Sequence, residues 1–495
     1  MTTTAAPVHP LDLDPSLVER QTYATRRRRH LVDITALLGV TLFLAVLIPA
    51  DLVVPQLTVG IGRPASILGL GLAAGWMLAR FHPRLTVRGP QPLRWAAAAY
   101  LTAILLAYAA GQLRGLTTIE AGGADRALIS TVVFLGVALV CADGVPNRSR
   151  LDDLLRLVVW LGGAMGGIGL IQFAFRFNIV ALIQVPGLVS SRDEVLGFRD
   201  RGGTDLVRVA STAAHYIEFS TVMAMVLPFA IHLARFGPSR LSRQLAGVAA
   251  VVIASAIPVT LSRSGILAVF AGLLVLGYFW TWRMRFNIGV LGLGLLSTIM
   301  LVRPGLLGTI RSLFTNLGND PSVETRTDDY ETVGAYLAER PWFGRGPGTF
   351  IPTVYRFLDN EWLMHLITAG YLGTAAFAAW HLTVIALAAA AYRRATRAAD
   401  RHLCACLIAV QVMAMLVAGT FDAMSFTTHT TVLAVLSGVA GAMWRFTHPA
   451  RQVRSAAVLP LPRPRWVRSW LSAQVWARLR AWRDRQPRTS VVEVR

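Results

Sequence analysis

Long apolar runs recur along most of this chain, and polar residues are concentrated in the segments between them. A helix needs about 20 apolar residues to cross the hydrocarbon layer of a bilayer, because no water is available there for unpaired peptide groups. The pattern therefore predicts an all-α integral membrane protein with about 12 transmembrane helices. The predicted spans cover residues 31–50, 64–81, 94–112, 126–143, 153–175, 215–234, 243–261, 264–281, 286–302, 362–391, 401–420 and 427–445.

The placement of arginine predicts the direction of the spans. Arg26 to Arg29 directly precede the first span, and a basic run of this kind is held on the cytoplasmic side. Alternation from there places the basic connections around 80–88, 235–243 and 393–397 inside, whereas the short outer connections carry single arginines. We therefore expect a multi-pass protein with both termini in the cytoplasm.

The spans divide the chain into three regions. Residues 1–30 are polar and predict a disordered cytoplasmic N-terminus, 31–445 form the polytopic membrane domain, and 446–495 form a basic cytoplasmic tail. The tail either lies along the anionic inner leaflet or is disordered. Within the membrane domain we expect two long extracytoplasmic loops, at about 176–214 and 303–361. Long loops at a membrane surface act as tethers or build active sites.

Composition excludes several classes of protein. Apolar residues make up 54% of the chain and charged residues 15%, whereas a soluble chain is about a quarter charged. A large soluble enzyme, a disordered protein and a disulfide-built secreted module are therefore excluded. The formal net charge is +21, and every basic residue is arginine. Because the arginines lie between apolar runs, the charge indicates orientation in a membrane, and we expect no nucleic-acid partner.

The three cysteines do not predict a metal centre. Cys141, Cys404 and Cys406 lie at predicted cytoplasmic ends of helices. We therefore expect neither a structural disulfide nor a zinc cluster, and no metal site.

The second long loop has internal structure. Asp328, followed three residues later by Glu331, resembles a helix start with a carboxylate for the unpaired backbone N–H groups. Val333 and Leu337 then recur on one face until Pro341 ends the helix. We predict a short amphipathic helix that rests on the outer bilayer surface or on the other helices.

The turn that follows this helix reads Gly344-Arg345-Gly346-Pro347-Gly348. Its glycines permit close backbone approach, so a loop that cradles phosphate is one interpretation. The sequence matches neither a P-loop nor a dinucleotide fingerprint. The favoured interpretation is a tight connector that returns the chain to the membrane.

The short outer turn between the seventh and eighth spans reads Leu261-Ser262-Arg263-Ser264-Gly265. Arg263 is either an anchor for lipid headgroups or a ligand for a bulky anion. The turn is too short to need a charge, and its small neighbours leave room around the guanidinium group. We therefore favour anion binding.

Acidic and histidine side chains lie at the entries to two spans. His215 and Glu218 share one face at the start of the sixth span, either as a base beside its acid or as a structural hydrogen-bonded pair. Asp359 and Glu361 begin the tenth span, with His365 one turn further in. These acids are either favoured by the helix dipole or act as a catalytic base. Other titratable residues at span ends receive no role: Asp33, Asp422 and His429.

Four motifs, taken in order, resemble the O-antigen ligase and polymerase family of bacterial surface-polysaccharide membrane proteins. The resemblance covers about 200 to about 375, and it depends on the order and spacing of the motifs in a chain of twelve spans. The motifs are Arg208 to Phe219 followed by a span; Ser262 to Gly265; Arg326 followed by the helix and Pro341 to Gly348; and Asp359 to Leu363 followed by Gly370 to Gly373.

The resemblance implies glycosyl transfer at the outer face of the bacterial cytoplasmic membrane, as part of cell-envelope polysaccharide biosynthesis. A glycan carried on a polyprenyl diphosphate moves to an acceptor hydroxyl on a glycan, lipid or protein, with inversion and without a metal or cofactor. Arg263 and Arg326 would hold the diphosphate, and Arg208 is a further candidate. Guanidinium groups suit this role, because a departing diphosphate carries growing negative charge.

A base must also take the proton of the acceptor. Ligases of this family usually have histidine directly before the asparagine of the last motif, and this chain has Asp359 there. Asp359, His215 or His365 is therefore the expected base. Supporting roles fall to Glu218, Ser262, Asn360 and Arg345.

A transporter, or a flippase of lipid-linked sugars, is the alternative function. Twelve spans with both ends inside also suit a secondary carrier. Such a carrier would have its long connection inside, whereas here the inner connection at 235–243 is short and the long loops are outside. The charges also cluster at the outer mouth instead of the bilayer midplane. We therefore favour the enzyme, and a non-catalytic role in a polysaccharide export complex is a third hypothesis.

Overall fold

The apolar runs fold into helices in the computed structural model of the protein. The structure describes residues 33–55, 57, 61–81, 89–191, 198–200, 207–302, 305, 308–309, 311, 315 and 321–449. Most of the predicted N-terminal and C-terminal regions, 1–30 and 446–495, therefore lies outside the described residues. Thirteen helices in the described ranges are numbered here in chain order. They are α1 (Ile34–Val46), α2 (Pro64–Arg80), α3 (Pro92–Arg114), α4 (Thr118–Gly144), α5 (Arg148–Phe175), α6 (Tyr216–Phe236), α7 (Arg240–Val259), α8 (Arg263–Phe279), α9 (Trp282–Val302), α10 (Pro321–Glu339), α11 (Glu361–Arg394), α12 (Ala398–Ala418) and α13 (Thr427–Thr447).

Short strands occur only in the connections, as far as the chain is described. β1 (Leu52–Val53) pairs antiparallel with β2 (Val189–Ser190), and β3 (Phe198–Asp200) pairs antiparallel with β4 (Val207–Val209). In the second pair, residue 199 lies opposite Arg208. Both pairs involve the first long loop, which is thereby tied to the connection after α1.

Seven of the described helices are long and apolar enough to cross a membrane: α3, α4, α5, α6, α7, α11 and α12. α1 and α8 are shorter apolar helices. The expectation of an all-helical membrane protein is therefore confirmed, whereas the count of twelve spans stays a prediction.

The second long loop contains α10, which begins at Pro321, earlier than the predicted start at Asp328. Proline fits the first turn of a helix, because the N–H that it lacks would have no partner there. The helix ends at Glu339, since Pro341 disfavours helical geometry in the residue before it.

α6 and α13 form the centre of the bundle, and most of their residues are buried. Both helices are apolar around most of their circumference, which is typical of a helix surrounded by others. Large buried side chains such as Trp380, Tyr100 and Phe219 fill the space between helices. α13 lies close to α4, where a side chain at Gly438 would collide with Cys141.

The two ends of the bundle differ in their contacts. At one end Arg148 donates to Asp400 at 2.8 Å, and Arg150 donates to Asp33 at 2.7 Å. At the other end, which we call the loop end, the backbone N–H of Ala50 donates to Thr212, and the Tyr355 hydroxyl donates to Glu120 at 2.8 Å. The connections predicted to be outside therefore meet at the loop end. That this end faces away from the cytoplasm stays a prediction.

Candidate functional site

The start of α6 holds Arg208 and His215 together at the loop end. His215 caps the helix, because its Nδ1 atom accepts the backbone N–H of Ile217 at 3.3 Å. The ring of His215 lies 4.0 Å from the ring of Tyr216. Arg208 reaches the same tyrosine, donating from Nη1 to its hydroxyl at 2.6 Å and stacking over its ring at 4.7 Å. A planar guanidinium group is thereby fixed beside the start of the helix.

The start of α8 lies against the start of α6. Ser262 caps α8 by accepting the backbone N–H of Gly265 at 3.5 Å, and Arg263 is the first residue of the helix. Gly265 packs so closely on Ser220 of α6 that a side chain there would collide with it. Arg263, which is partly buried, therefore lies at the same end of the bundle as Arg208.

Two buried residues beside these helix starts have left-handed backbone geometry. Ser211 precedes α6 with φ 54°, and Leu261 precedes α8 with φ 52°. A non-glycine residue in this region costs about 1–3 kcal/mol, and such strain is concentrated at functional sites. The two strained turns thus support a functional role for the helix starts that follow them.

Glu218 is buried and binds backbone groups. One carboxylate oxygen accepts the N–H groups of Thr428 and His429 at 2.9 and 3.2 Å, and the other accepts that of Ala214 at 2.8 Å. The carboxylate therefore joins the start of α6 to the start of α13. This contact set is a structural one.

The start of α11 presents one acid to solvent. Asp359 is exposed and directly precedes Asn360. Asn360 caps α11, since its side-chain oxygen accepts the backbone N–H of Leu363 at 3.2 Å. Capping fixes the start of α11 and thereby the position of Asp359, which directly precedes the cap.

Glu361 and His365 form a buried pair on the inner side of α11. The His365 Nδ1 atom lies 2.9 Å from one oxygen of Glu361, and the other oxygen accepts the N–H of Met424 at 2.8 Å. The Nε2 atom of the histidine lies 2.8 Å from the Tyr100 hydroxyl, and its ring stacks on Phe377 at 4.3 Å. Both nitrogens of His365 and both oxygens of Glu361 are thus used within the protein.

Arg345 belongs to a second charged cluster, the Glu120 cluster, which comprises Arg114, Glu120, Arg345 and Tyr355. Arg114 donates to Glu120 at 2.7 Å, and Arg345 donates to the Tyr355 hydroxyl at 3.1 Å while lying 3.8 Å from Glu120. The guanidinium group of Arg345 also stacks on Tyr336 at 4.7 Å. Burial and the hydrogen bond to Glu120 raise the pKa of Tyr355.

The turn at 344–348 fills a break in α11. Gly370 has φ 65° and ψ −166°, so the helix is interrupted and its neighbours lose their regular hydrogen bonds. The chain at 341–346 supplies replacements, which leaves these N–H groups occupied and supports the interpretation of a connector. The bonds run from Arg345 N to Ile367 O at 2.9 Å, Gly346 N to Thr368 O at 2.9 Å, Tyr371 N to Pro341 O at 2.8 Å and Leu372 N to Trp342 O at 3.2 Å.

Residues 248–378 match the family model described as O-antigen ligase. The matched residues include Arg263, α10, the turn at 344–348 and the break in α11. This segment is O-antigen ligase-like. The resemblance that the motifs predicted is therefore confirmed for this part of the chain, and the match supports O-antigen ligase-like glycan transfer in a membrane protein. Comparison with curated proteins gives no match.

The O-antigen ligase-like segment includes Arg326, which lies on α10 with its side chain outside the described part of the structure. The second half of α10 packs on the start of α11, where Val333 belongs to one buried cluster with Leu358 and Leu363. Asp329, also on α10, lies 3.1 Å from Arg356. α10 is thereby placed on the connection that leads into α11.

The predicted residues separate into groups once the contacts are known. The structure brings Arg208, His215 and Arg263 to one pair of helix starts, and it places Asp359 at a third. Arg345 is held apart in the Glu120 cluster. Among the described residues, no group of three or more His, Cys, Asp or Glu side chains could hold a metal ion.

Asp422 is a residue of the loop end to which sequence reasoning gave no role. It lies between α12 and α13, outside the O-antigen ligase-like segment, and is partly buried. Burial and the nearby charges of Glu361 and Asp359 raise its pKa to about 7. The sequence shows only an acid at a span end, because these neighbours come from a distant part of the chain.

Proposed function

We propose that this protein transfers a glycan from a polyprenyl diphosphate carrier to an acceptor hydroxyl at the outer face of the bacterial inner membrane. The proposal is carried by one observation: the start of α8, inside the O-antigen ligase-like segment, packs on the start of α6, and each start holds an arginine. Two positive side chains beside two helix N-termini favour a polyvalent anion.

The donor diphosphate is assigned to Arg208, Arg263 and Arg326. Arginine binds phosphate oxygens through two N–H groups in a fixed plane, and Tyr216 restrains that plane for Arg208. The N-termini of α6 and α8 add partial positive charge at the same place. The carrier lipid then extends along the membrane, where apolar helix faces accept its chain.

Transfer proceeds by displacement at the anomeric carbon. The acceptor oxygen attacks from the side opposite the diphosphate, so the configuration is inverted. The bond from the anomeric carbon to the phosphate oxygen breaks, and its electron pair leaves with the diphosphate. The guanidinium groups stabilise this growing negative charge and thereby take the place of a metal ion in the reaction. A base at the loop end takes the proton of the acceptor.

The acceptor is assigned to the hydroxyl group of a glycan, lipid or protein that reaches the loop end from outside. With the long loops at this end, donor and acceptor meet at the membrane surface and not in a channel between the two ends. This arrangement favours transfer over transport.

The decisive experiment compares Arg263→Ala with Arg240→Ala. Each arginine is the first residue of its helix, but Arg240 is exposed at the start of α7, at the opposite end of the bundle. In a strain that lacks the gene, Arg263→Ala should restore at least about a hundredfold less surface glycan than the unmodified protein, because a group that stabilises transition-state charge is lost. Arg240→Ala should restore it fully.

A second measurement separates transfer from transport. With purified protein in detergent, Arg263→Ala should bind polyprenyl diphosphate more weakly, while Arg240→Ala binds it normally. In the strain that lacks the gene, lipid-linked glycan should accumulate on the outer leaflet, where an external glycosidase reaches it. Accumulation on the inner leaflet would favour a flippase, and normal surface glycan with Arg263→Ala would remove the proposed donor site.

A further inference from the structure

The loop between α12 and α13 connects two of the helix starts described above. Met424 donates its backbone N–H to Glu361, which ties the loop to the start of α11. Two residues later, the ring of Phe426 lies 6.1 Å from the ring of His215 at the start of α6. Asp422 precedes these two contacts in the same loop, and Phe421 and Ala423 on either side of it share a buried cluster with Ala224 of α6 and Ala268 of α8.

The two histidines at the loop end are poorly placed to accept a proton. His215 uses its Nδ1 lone pair for the N–H of Ile217, so a neutral ring carries its proton on Nε2. His365 has one nitrogen on Glu361 and the other on Tyr100. Neither ring offers a lone pair without first breaking a contact that the fold uses.

Two of the carboxylates are also committed to other partners. Both oxygens of Glu218 accept backbone N–H groups, and both oxygens of Glu361 are taken by His365 and Met424. Asp359 is exposed to solvent where the chain enters α11. Asp422 differs from all three, because it is partly buried and the side chain that donates to it is Ser425 of its own loop.

The charged and titratable groups around Asp422 come from several elements. The charges of Glu361, the first residue of α11, and of Asp359, which precedes the cap of that helix, act on Asp422, and Ser425 lies in the same loop. The start of α6 contributes His215, through its contact with Phe426. The start of α8, whose first residue is Arg263, packs on α6 where Gly265 meets Ser220. Burial and the two acidic neighbours raise the pKa of Asp422 to about 7. A general base works best when its pKa is close to the pH of the reaction.

We infer that Asp422 accepts the proton of the acceptor hydroxyl in glycan transfer, with Asp359 as a neighbouring charge and not as the base; this inference rests on the proposed function. As the acceptor oxygen bonds to the anomeric carbon, its proton moves to the carboxylate of Asp422. The bond to the diphosphate oxygen breaks, and the electron pair leaves with the diphosphate. Asp422 then returns the proton to water at the loop end.

The test measures transfer rate against pH with purified protein and lipid-linked glycan extracted from the strain that lacks the gene. Unmodified protein should gain activity as pH rises through about 7, because only the ionised carboxylate accepts a proton. Asp422→Asn should be at least about a hundredfold slower at every pH, while binding of polyprenyl diphosphate is unchanged. Asp125→Asn is the matched control: this acid is exposed at the loop end and bonded to Tyr108, and its loss should leave the rate unchanged.

Asp359→Asn provides a readout that a structural role would not move. Removal of a neighbouring negative charge lowers the pKa of Asp422, so the rise in activity should shift to lower pH while transfer continues. If Asp422→Asn does not fold, two other measurements decide. Asp422→Glu keeps a carboxylate and should still transfer glycan, and Asp359→Asn should show the shift of the pH profile. Rapid transfer by Asp422→Asn, or loss of transfer with Asp359→Asn and no shift, overturns the inference.

The failure of this inference is distinguishable from failure of the proposed function. If Arg263→Ala is inactive and Asp422→Asn is active, the donor site stands and only the identity of the base is wrong. If both variants transfer glycan normally, the assigned donor site and the assigned base are both wrong; if the unmodified protein transfers no glycan from the lipid-linked donor, the proposed function itself is wrong.

Discussion

Two regions of the loop end have nearly the same local sequence but lie at different elements of the fold. Arg263 lies in Ser262-Arg263-Ser264-Gly265 and Arg345 in Gly344-Arg345-Gly346, each an arginine between small residues. Arg345 lies within 3.8 Å of Glu120 and Glu339, and it stacks on two tyrosines, Tyr336 and Tyr355. Arg263 instead begins a helix beside the start of α6. The comparison teaches that similar flanking residues can place an arginine in a network of acids and tyrosines or at the start of a helix.

The difference between these regions follows from where their partners lie in the chain. Glu120 is at the start of α4, far in sequence from Arg345, and it neutralises charge that would otherwise attract an anion. The described partner of Arg208 is Tyr216, which is neutral, so this contact does not compensate the positive charge of Arg208. An anionic donor should therefore prefer the helix starts to the Glu120 cluster.

The largest expected effect is on stability, in Arg345→Ala. The side chain is only 11% exposed. Its loss removes the stacking on Tyr336 and Tyr355, and it removes a positive charge that lies 3.8 Å from Glu120. We expect the free energy of unfolding to fall by about 3 kcal/mol. Thermal denaturation in detergent should show this loss, whereas the affinity for polyprenyl diphosphate in the folded fraction should stay the same. Weaker binding with unchanged stability would reverse the comparison.

The next effect is the opposite one, in Arg208→Ala. This variant should keep its denaturation midpoint, because the side chain is only partly buried and its described contact is a tyrosine. The affinity for polyprenyl diphosphate should fall about twentyfold, since a charged hydrogen bond contributes roughly 2 kcal/mol. Tyr216→Phe is the companion variant: it keeps the ring under the guanidinium group but removes the hydroxyl, so the loss of affinity should be smaller. Equal affinity in Arg208→Ala and the unmodified protein would exclude Arg208 from the donor site.

Much of this fold was predictable from the sequence because membrane spans are local patterns. An apolar run fixes a helix on its own, and the proline at 341 ends α10 where the sequence indicated. The early start of α10 at Pro321 was missed, because the acid at 328 is also a plausible helix start. The break in α11 was not predicted either. Gly370 lies in an apolar run, and only the chain at 341–346 shows why the helix is interrupted there.

The candidate site was predictable in part, for the same physical reason. Arg208, Arg263 and Asp359 stood out because charge is rare at the ends of apolar runs. Asp422 stood out no more than other acids, since its surroundings depend on Glu361 in another helix. Local pattern therefore identifies which residues are candidates, while long-range contacts decide which of them are compensated.

The smallest expected effect tests how tightly the turn at 344–348 is held, with two neighbouring glycines of α4. Gly123 faces the carbonyl of Gly348 so closely that an added methyl group would collide with it, whereas at Gly122 the nearest atom is the mobile end of Arg126, 3.8 Å away. Gly123→Ala should destabilise the protein by about 1.5 kcal/mol, because the turn cannot move without losing its bonds to α11. Gly122→Ala should be neutral or stabilise by up to about 1 kcal/mol, since alanine favours the helix. If transfer activity per folded molecule falls in Gly123→Ala alone, the turn also positions the start of α11, and with it Asp359; if it is the same in both variants, the turn serves stability and the chemistry belongs to the helix starts.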